Sequence, residues 1–270
     1  MNETRKMRAA VRVGQPEEKK RGISGSTLKI IAVITMLIDH IGAALVWRVY
    51  LTNYPGLSNE GLRSLYIFYI VLRGIGRIAF PIYCFLLVEG FARTRNPWKY
   101  ALRLGVFAFL SEIPFDMAFS SEVLEFGYQN VFFTLLCGLL AMIASDGISR
   151  RLSGKCSEKL RGYVEIAITC LCAALMAAVA GFLRTDYGAK GVACIMILYL
   201  TRKKKVMQLT AGALAFCWEL TAPLAFIPIA FYNGKRGLRM KYFFYIFYPA
   251  HLLILYLICL IMGIAWQPAI

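Results

Sequence analysis

The stretch LKIIAVITMLIDHIGAALVWRVY, residues 28–50, is long and apolar enough to span a bilayer, yet it carries Asp39 and His40 near its middle. A transmembrane helix needs about 20 apolar residues, and an ionisable side chain near the bilayer centre is costly unless it is partnered or hydrated. One interpretation is a hydrated pair that holds this helix to a neighbour. Because intramembrane ionisable residues usually mark function, we instead predict that Asp39 and His40 belong to the functional site.

The composition indicates an integral membrane protein. Of the 270 residues, 59% are hydrophobic and 17% are charged, which is too apolar for an ordinary soluble domain of this length. The net charge of +16 would suggest nucleic-acid binding in a soluble protein. Here the basic residues lie between apolar runs, so membrane orientation explains them and no nucleic-acid partner is predicted. The eight cysteines include no C-x-x-C pair, and we predict neither a disulfide framework nor a metal site.

The later apolar runs predict an all-α, polytopic fold, because a helix satisfies its own backbone hydrogen bonds in lipid. These runs are residues 66–91, 100–119, 131–145, 163–183, 188–200, 206–232 and 243–266. We expect about nine transmembrane or re-entrant helices in a single domain, residues 28–270. Residues 1–27 are polar, basic and without apolar periodicity, and are expected to form a disordered cytoplasmic tail.

The loop charges predict the orientation of the helices. Basic clusters lie within residues 93–103, 150–161, 202–205 and 235–241. The positive-inside rule places each cluster, and with them the N-terminus, on the cytoplasmic side. Because the run 206–232 is basic at both ends yet long enough for only one span, it must turn back. Glu219, Pro223 and Pro228 are expected to break it into two short helices or a re-entrant hairpin.

Two further pairs of charged residues are predicted at a depth similar to that of His40. Arg73 and Arg77 are four residues apart and share a helix face, where two guanidiniums can hold an anion. Glu89 lies closer to the cytoplasmic end of the same run. Glu112 and Asp116 are also four residues apart. Taken alone, these two pairs are explained equally well by an ion-pair network that merely joins helices.

His40 favours a chemical site, because imidazole titrates near neutral pH and suits proton transfer. Adjacent helical residues point about 100° apart, so Asp39 need not orient the His40 ring, and Asp116 or Glu112 can do so instead. A relay of Asp39, His40, Glu112 and Asp116 would also suit a proton-coupled transporter or flippase. Transporters are commonly built from two related halves, however, and the chain shows no second copy of the Asp-His helix.

Polar residues near other helix starts are further candidates. Gln129 and Asn130 precede the run 131–145, where Asn130 is expected to cap the helix. Asp186 and Tyr187 precede the run 188–200, where a turn or an N-cap is the simpler interpretation. His251 lies in the last run and suits a structural role as well as a catalytic one.

Five segments carry a resemblance to a known family. They are LKIIAVITMLIDHIGA (28–43), RGIGRIAFPIYCFLLVEGF (73–91), SEIPFDMAF (111–119), YQNVFFTLL (128–136) and DYGAKGVACIMILYL (186–200). In this order and spacing the chain resembles the TraX family, whose namesake acetylates the N-terminus of a conjugative pilin. The family is similar to a wider group of transmembrane acyltransferases, including the acyltransferase family 3 proteins and the lysosomal heparan acetyltransferase.

The resemblance implies a multi-pass acetyltransferase of the bacterial cytoplasmic membrane. Such an enzyme takes an acetyl group from cytosolic acetyl-CoA, its acyl donor, and transfers it to an amine or hydroxyl at the outer side. The implied partners are the lipid bilayer, acetyl-CoA and an acceptor of unknown identity, a pilin N-terminus or another surface molecule such as a glycan.

The resemblance also implies roles for individual residues. His40 corresponds to the catalytic histidine, as general base or acyl carrier. Asp39 beside it and Asp116, which falls on a family motif without an assigned role, are our further catalytic candidates. Arg77, with Arg73 beside it, corresponds to a position suited to binding the acyl donor. Asn130 and Asp186 fall on family motifs without an assigned role. The remaining candidates are these two positions together with Glu89, Glu112, Gln129, Tyr187 and His251.

Overall fold

The computed structural model describes residues 22–152, 157–238 and 241–269, and over these ranges the chain is helical without a β-strand. The helices are α1 (Gly25–Thr52), α2 (Asn59–Gly76), α3 (Ala79–Arg93), α4 (Pro97–Phe119), α5 (Val131–Leu152), α6 (Glu158–Phe182), α7 (Gly188–Thr201), α8 (Lys205–Ala215), α9 (Phe226–Ala230) and α10 (Lys241–Ile261).

Five helical segments are long and apolar enough to cross a membrane, so the chain is a helical membrane protein. They are Gly25–Thr52, Asn59–Arg93, Val131–Leu152, Leu160–Phe182 and Tyr242–Ile261. The predicted all-α membrane fold is confirmed. The total of nine segments, the single domain 28–270 and the cytoplasmic N-terminus stay predictions.

Helix α1 begins three residues earlier than the apolar run, because Ser24 caps it. The Ser24 hydroxyl accepts a hydrogen bond from the backbone N–H of Thr27 at 3.2 Å. Just before the cap, the backbone N–H of Ile23 donates to the carbonyl of Phe231 at 2.9 Å. Residues 22–27, which the sequence assigned to the tail, therefore pack against the helices. The remainder of the predicted tail, residues 1–21, lies outside the described residues.

Directly after His40, helix α1 widens into a π-helix over Ile41–Val46 and then resumes α-helical geometry. A π-helical turn changes which residues share a face and occurs often at functional sites. In this chain it separates His40 from the buried Arg48. The π-helix is the first irregularity beside the candidate site.

The second irregularity divides the predicted run 66–91 into two helices. Helix α2 ends at Gly76, with Arg77 as its C-cap, and α3 begins at Ala79. Pro81 explains the position of the break, because proline has no N–H to donate to the carbonyl four residues earlier and its ring clashes with that carbonyl. That carbonyl belongs to Arg77. The break therefore places Arg77 where the backbone is irregular.

The run 206–232 turns back within the protein, as predicted. Helix α8 is followed by a 3-10 turn at Ala222–Ala225 and by the short α9. The Lys205 side chain reaches the carbonyl of Tyr232, with Nζ 3.4 Å from the oxygen. The two ends of this hairpin, residues 205–232, therefore lie together. At its tip the Thr221 hydroxyl donates to the carbonyl of Gly74 at 2.6 Å, which anchors the hairpin beside the α2–α3 break.

The two ends of the helix bundle differ in charge. At one end, Arg93 donates to the carbonyl of Gly234 at 2.5 Å, and Ile23 lies beside Tyr232. This basic end also holds Arg95, Lys99, Lys203, Lys204, Lys235 and Arg236. The opposite end carries the loops that hold Glu122, Glu125 and Asp186, where the backbone of Gln129 pairs with that of Thr185.

The hairpin predicts the same accessibility for positions 204 and 238. In a variant without native cysteines, Lys204→Cys and Leu238→Cys are expected to react with a membrane-impermeant maleimide from the same face of sealed vesicles. Val123→Cys, which is exposed at the opposite end, is the control and is expected to react from the other face. Labelling of positions 204 and 238 from different faces would contradict the hairpin.

Candidate active site

A cavity of about 240 Å³ lies between α1, the α2–α3 break, the tip of the hairpin and the loops of the opposite end. Its polar lining is Asp39, His40, Arg73, Arg77, Tyr128, Asp186, Tyr187 and Glu219. Its apolar and aromatic lining includes Phe80, Tyr83, Phe115, Phe119, Trp218 and Tyr248. The structure thus brings together six of the residues that the sequence singled out. These are Asp39, His40, Arg73, Arg77, Asp186 and Tyr187.

Asp39 and Arg73 form an ion pair across the α1–α2 contact, with Nη1 2.6 Å from Oδ2. The two helices approach so closely here because residue 76 is glycine, and a Cβ at that position would overlap the Asp39 side chain. The second carboxylate oxygen, Oδ1, is buried and has no hydrogen-bond partner among the described residues. Asp39 therefore has one oxygen held by Arg73, while the other is buried against the backbone of Gly76.

Arg77 lies on the other wall of the cavity. Its Nε is 3.3 Å from Oε2 of Glu219 at the hairpin tip, and its Nη1 is 3.4 Å from the Tyr187 hydroxyl. The Tyr187 ring stacks on Phe80 with their centroids 3.7 Å apart. Arg77 thus connects the α2–α3 break with the hairpin and with the loop before α7.

His40 is oriented by a second histidine. Its Nδ1 is 2.6 Å from Nε2 of His251 on α10, and the two rings are within 6° of parallel. The Nδ1 of His251 is in turn 2.6 Å from the carbonyl oxygen of Phe247. Phe119 and Tyr248 present their rings edgewise to the His40 ring. The prediction that Asp116 or Glu112 orients His40 is therefore wrong.

Glu112 and Asp116 instead hold the loop 120–130 to helix α4. The Asn130 side chain donates to Oε2 of Glu112, and the backbone N–H of Glu125 donates to Oδ2 of Asp116 at 2.9 Å. Neither carboxylate lines the cavity. The network that was considered between these carboxylates and Arg73 or Arg77 does not form among the described residues, because the arginines pair with Asp39 and Glu219.

The residues around Asn130 have structural partners. The Asn130 Oδ1 accepts from the backbone N–H of Phe132 at 2.9 Å, which is the capping geometry predicted for the start of α5. Gln129 contributes its backbone, since its carbonyl accepts from the N–H of Asp186 at 2.7 Å. This pairing fixes the loop 120–130 against the loop before α7.

Asp186 closes the cavity at the opposite end of the bundle. Its Oδ1 accepts from the Tyr128 hydroxyl at 2.6 Å, and its backbone carbonyl accepts from the Thr134 hydroxyl. Burial raises the pKa of Asp186, while the hydrogen bond from Tyr128 and the nearby Arg77 oppose that shift. Asp186 therefore forms part of the cavity wall. Tyr187 occupies the N-cap position of α7, and its side chain makes no capping hydrogen bond.

Glu89 belongs to a separate cavity of about 440 Å³ at the basic end. Glu89 forms an ion pair with Arg93 at 2.7 Å. The lining of this second cavity also includes Arg202, Lys205, Gln208, Tyr232 and Asn233. Within the described ranges, no group of three His, Cys, Asp or Glu side chains is placed to hold a metal ion.

Several cavity residues were not predicted as members of the site. Glu219 was singled out only as a residue that interrupts its run, although a carboxylate within an apolar segment is itself a signal of function. Tyr128 begins the segment YQNVFFTLL but was not itself proposed for the site. Trp218 and Tyr248 carry no signal of their own, because aromatic residues are frequent throughout the chain.

Comparisons with known proteins agree on one family. The family model for "TraX protein" matches residues 24–259. A probable fimbrial assembly protein, FimC of serogroup H1 from Dichelobacter nodosus, is 32% identical over 263 residues, which cover 86% of this chain and 94% of that protein. No solved structure matches the chain. The chain belongs to the TraX family.

Proposed function

We propose that this protein is a membrane-embedded acetyltransferase that moves an acetyl group from acetyl-CoA at the basic end to an acceptor at the opposite end. The observation that carries the proposal is the position of His40, which lies within the membrane segment α1 and on the wall of a cavity that two arginines share. The positive-inside rule supports a cytosolic basic end, where acetyl-CoA is available.

The second cavity supports a donor site at the basic end. Arg93, Arg202 and Lys205 line it, and these cations suit the phosphate groups of coenzyme A. Helix α3 lines both cavities, with Phe80 in the first and Glu89 in the second. Nine residues of helix separate these two positions, or about 14 Å. The flexible pantetheine arm is proposed to extend along α3 and the hairpin from one cavity to the other.

An aromatic contact lies along this route. The Phe216 side chain is fully buried, with its ring centroid 5.8 Å from that of Phe80 and 6.0 Å from that of Phe226. Phe80 lines the first cavity, and Phe226 lies on α9 near Ile229, which lines the second. We propose that the hairpin shifts to let the arm pass these rings.

His40 supports two versions of the chemistry. As a general base, it takes a proton from the acceptor amine or hydroxyl while that atom attacks the thioester carbonyl, and the departing thiolate then receives a proton. As an acyl carrier, a ring nitrogen of His40 attacks the thioester first, thiolate leaves, and the acceptor attacks the acetyl-imidazole. In both versions the guanidiniums of Arg73 and Arg77 are proposed to stabilise the oxyanion.

The cavity favours an amine among the possible acceptors. The carboxylates of Asp39, Asp186 and Glu219 share the lining and suit an acceptor that carries N–H groups. The relative that is a probable fimbrial assembly protein supports a fibre subunit, such as a pilin, as the source of this amine. The transporter alternative gains no support, because its relay requires Glu112 and Asp116 beside His40.

The proposed function is tested with the detergent-purified protein and radiolabelled acetyl-CoA, with and without a membrane extract as acceptor. Saturable binding together with acceptor-dependent release of coenzyme A would support it. No binding by a sample that is monodisperse and helical by circular dichroism would overturn it.

The donor site predicts weaker acetyl-CoA binding when its cations are removed. Arg202→Gln combined with Lys205→Gln is expected to raise the Kd for acetyl-CoA at least about tenfold, because charge-assisted hydrogen bonds contribute about 1.5–3 kcal/mol. Lys203→Gln is the matched control, since it is exposed in the same turn and does not line the cavity. Equal affinities of the double variant and the control would contradict a donor site here.

A further inference from the structure

We infer that His251 is a positioning residue that fixes the tautomer of His40, so that Nε2 of His40 carries a lone pair towards the cavity. The structural part of this inference depends only on the two rings and one carbonyl. Its catalytic meaning rests on the proposed function.

The carbonyl of Phe247 determines the protonation of His251. A carbonyl oxygen accepts hydrogen bonds and does not donate them. Because it lies 2.6 Å from Nδ1 of His251, that nitrogen must carry the proton. In a neutral His251 ring the other nitrogen, Nε2, is then an acceptor.

The neutral form of His251 is the one that its surroundings favour. Of the three carboxylates that line the cavity, Asp39 pairs with Arg73 and Glu219 with Arg77, and Asp186 accepts a hydrogen bond from Tyr128. Within the described residues neither histidine forms an ion pair. A third buried cation beside two guanidiniums would be repelled and uncompensated, which is costly in a low-dielectric interior.

The tautomer of His40 follows from that of His251. With Nε2 of His251 as an acceptor 2.6 Å away, Nδ1 of His40 must donate the hydrogen bond. The Nε2 of a neutral His40 is then without a proton. His40 lines the cavity whereas His251 does not, so the edge of the His40 ring away from His251 is the one available to a ligand.

This tautomer is the one that the proposed chemistry needs. A general base and an acyl carrier both use a nitrogen lone pair. In water, neutral histidine prefers to carry its proton on Nε2, and the hydrogen bond made by the other ring nitrogen decides which tautomer a protein selects. His251 thus fulfils for His40 the role that a carboxylate fulfils for many catalytic histidines, without placing a negative charge behind the ring.

Nuclear magnetic resonance of protein labelled with [15N]histidine tests the inference directly, because the chain contains two histidines in 270 residues. The purification tag must contain no histidine. His40→Gln removes one set of imidazole signals and so assigns the spectrum. At neutral pH both rings of the wild type are expected to show a protonated Nδ1 and an unprotonated Nε2. A protonated Nε2 on His40 would overturn the inference.

Two variants at position 251 test whether His251 determines the tautomer of His40. His251→Ala is expected to return His40 largely to the Nε2–H tautomer and to lower kcat at least about tenfold with little change in the KM for acetyl-CoA. His251→Gln offers an amide oxygen to His40 and an amide N–H to Phe247, and is expected to restore the Nδ1–H tautomer and most of the activity. An unchanged His40 tautomer in the folded alanine variant would overturn the inference. If the alanine variant does not fold, the spectra of the wild type and of His251→Gln decide, and a protonated Nε2 on His40 in either would overturn the inference. The spectra are independent of acetyl transfer, so failure of the proposed function is distinguished from failure of this inference.

Discussion

Replacing His40 with glutamine is expected to lower the rate of acetyl transfer by a factor of about 10² to 10⁴, because the reaction loses its general base or acyl carrier. Glutamine is close in size to histidine and can still hydrogen bond to His251, so the fold is expected to survive. The measurement is coenzyme A release from radiolabelled acetyl-CoA at saturating donor. Because Arg77 and the second cavity are unchanged, the Kd for acetyl-CoA should stay within about threefold, roughly 0.7 kcal/mol, of the wild-type value.

A suitable control for His40→Gln is Thr35→Val, on the same helix. The Thr35 hydroxyl bonds to backbone carbonyls of its own helix, at 2.9 Å from Ile31 and 3.2 Å from Ala32, and does not line the cavity. This variant is expected to keep nearly full activity. Wild-type rates for a folded His40→Gln protein would exclude His40 from the chemistry.

Replacing Gly76 with alanine is expected to have the largest effect on the integrity of the site. The added Cβ would overlap the Asp39 side chain, so α1 and α2 must separate or Asp39 must leave Arg73. Overpacking typically costs about 1–3 kcal/mol. Breaking a buried ion pair costs about 3–5 kcal/mol. We expect a lower thermal transition by size-exclusion or fluorescence assay, together with loss of acetyl transfer.

The same substitution two residues earlier supplies the matched control. A Cβ on Gly74 would meet only the Thr221 methyl group at 3.8 Å, which is an ordinary van der Waals contact. Alanine is about 1 kcal/mol better than glycine in a helix interior, so Gly74→Ala is expected to be neutral or slightly stabilising. Equal effects of the two alanine substitutions would show that the close approach of Asp39 to residue 76 is unimportant.

The path of the chain was more predictable than the partners of its charged residues. Basic residues at both ends of the run 206–232 required a hairpin, and Lys205 indeed meets Tyr232. The break between α2 and α3 was also within reach of the sequence, since Pro81 lies four residues after Arg77. Both features depend on residues within one segment of the sequence, so that segment alone is sufficient to predict them.

The pairing within the site was not predictable in this way. Depth along the helices placed Asp39, Glu112 and Asp116 near the same arginines, and depth does not determine which helix faces meet. His40 and His251 are 211 residues apart, and no charged residue lies beside His251 on its own helix to mark it as a partner. In lipid both the buried and the exposed faces of a helix are apolar, so periodicity does not identify the buried face as it does in water.

The hairpin also affects how the cavity can move. The hairpin begins and ends at the basic end of the bundle. Helix α10 therefore starts from that end whatever the tilt of the hairpin. A tilt of residues 205–232 would break the contacts of Thr221 with Gly74 and of Glu219 with Arg77 at the tip. It would also move Trp218 away from Tyr187 and the buried Phe216 away from Phe80. Of the walls around His40, the one that carries Trp218 and Glu219 is therefore the wall that would move with the hairpin. The other walls belong to helices and loops outside it.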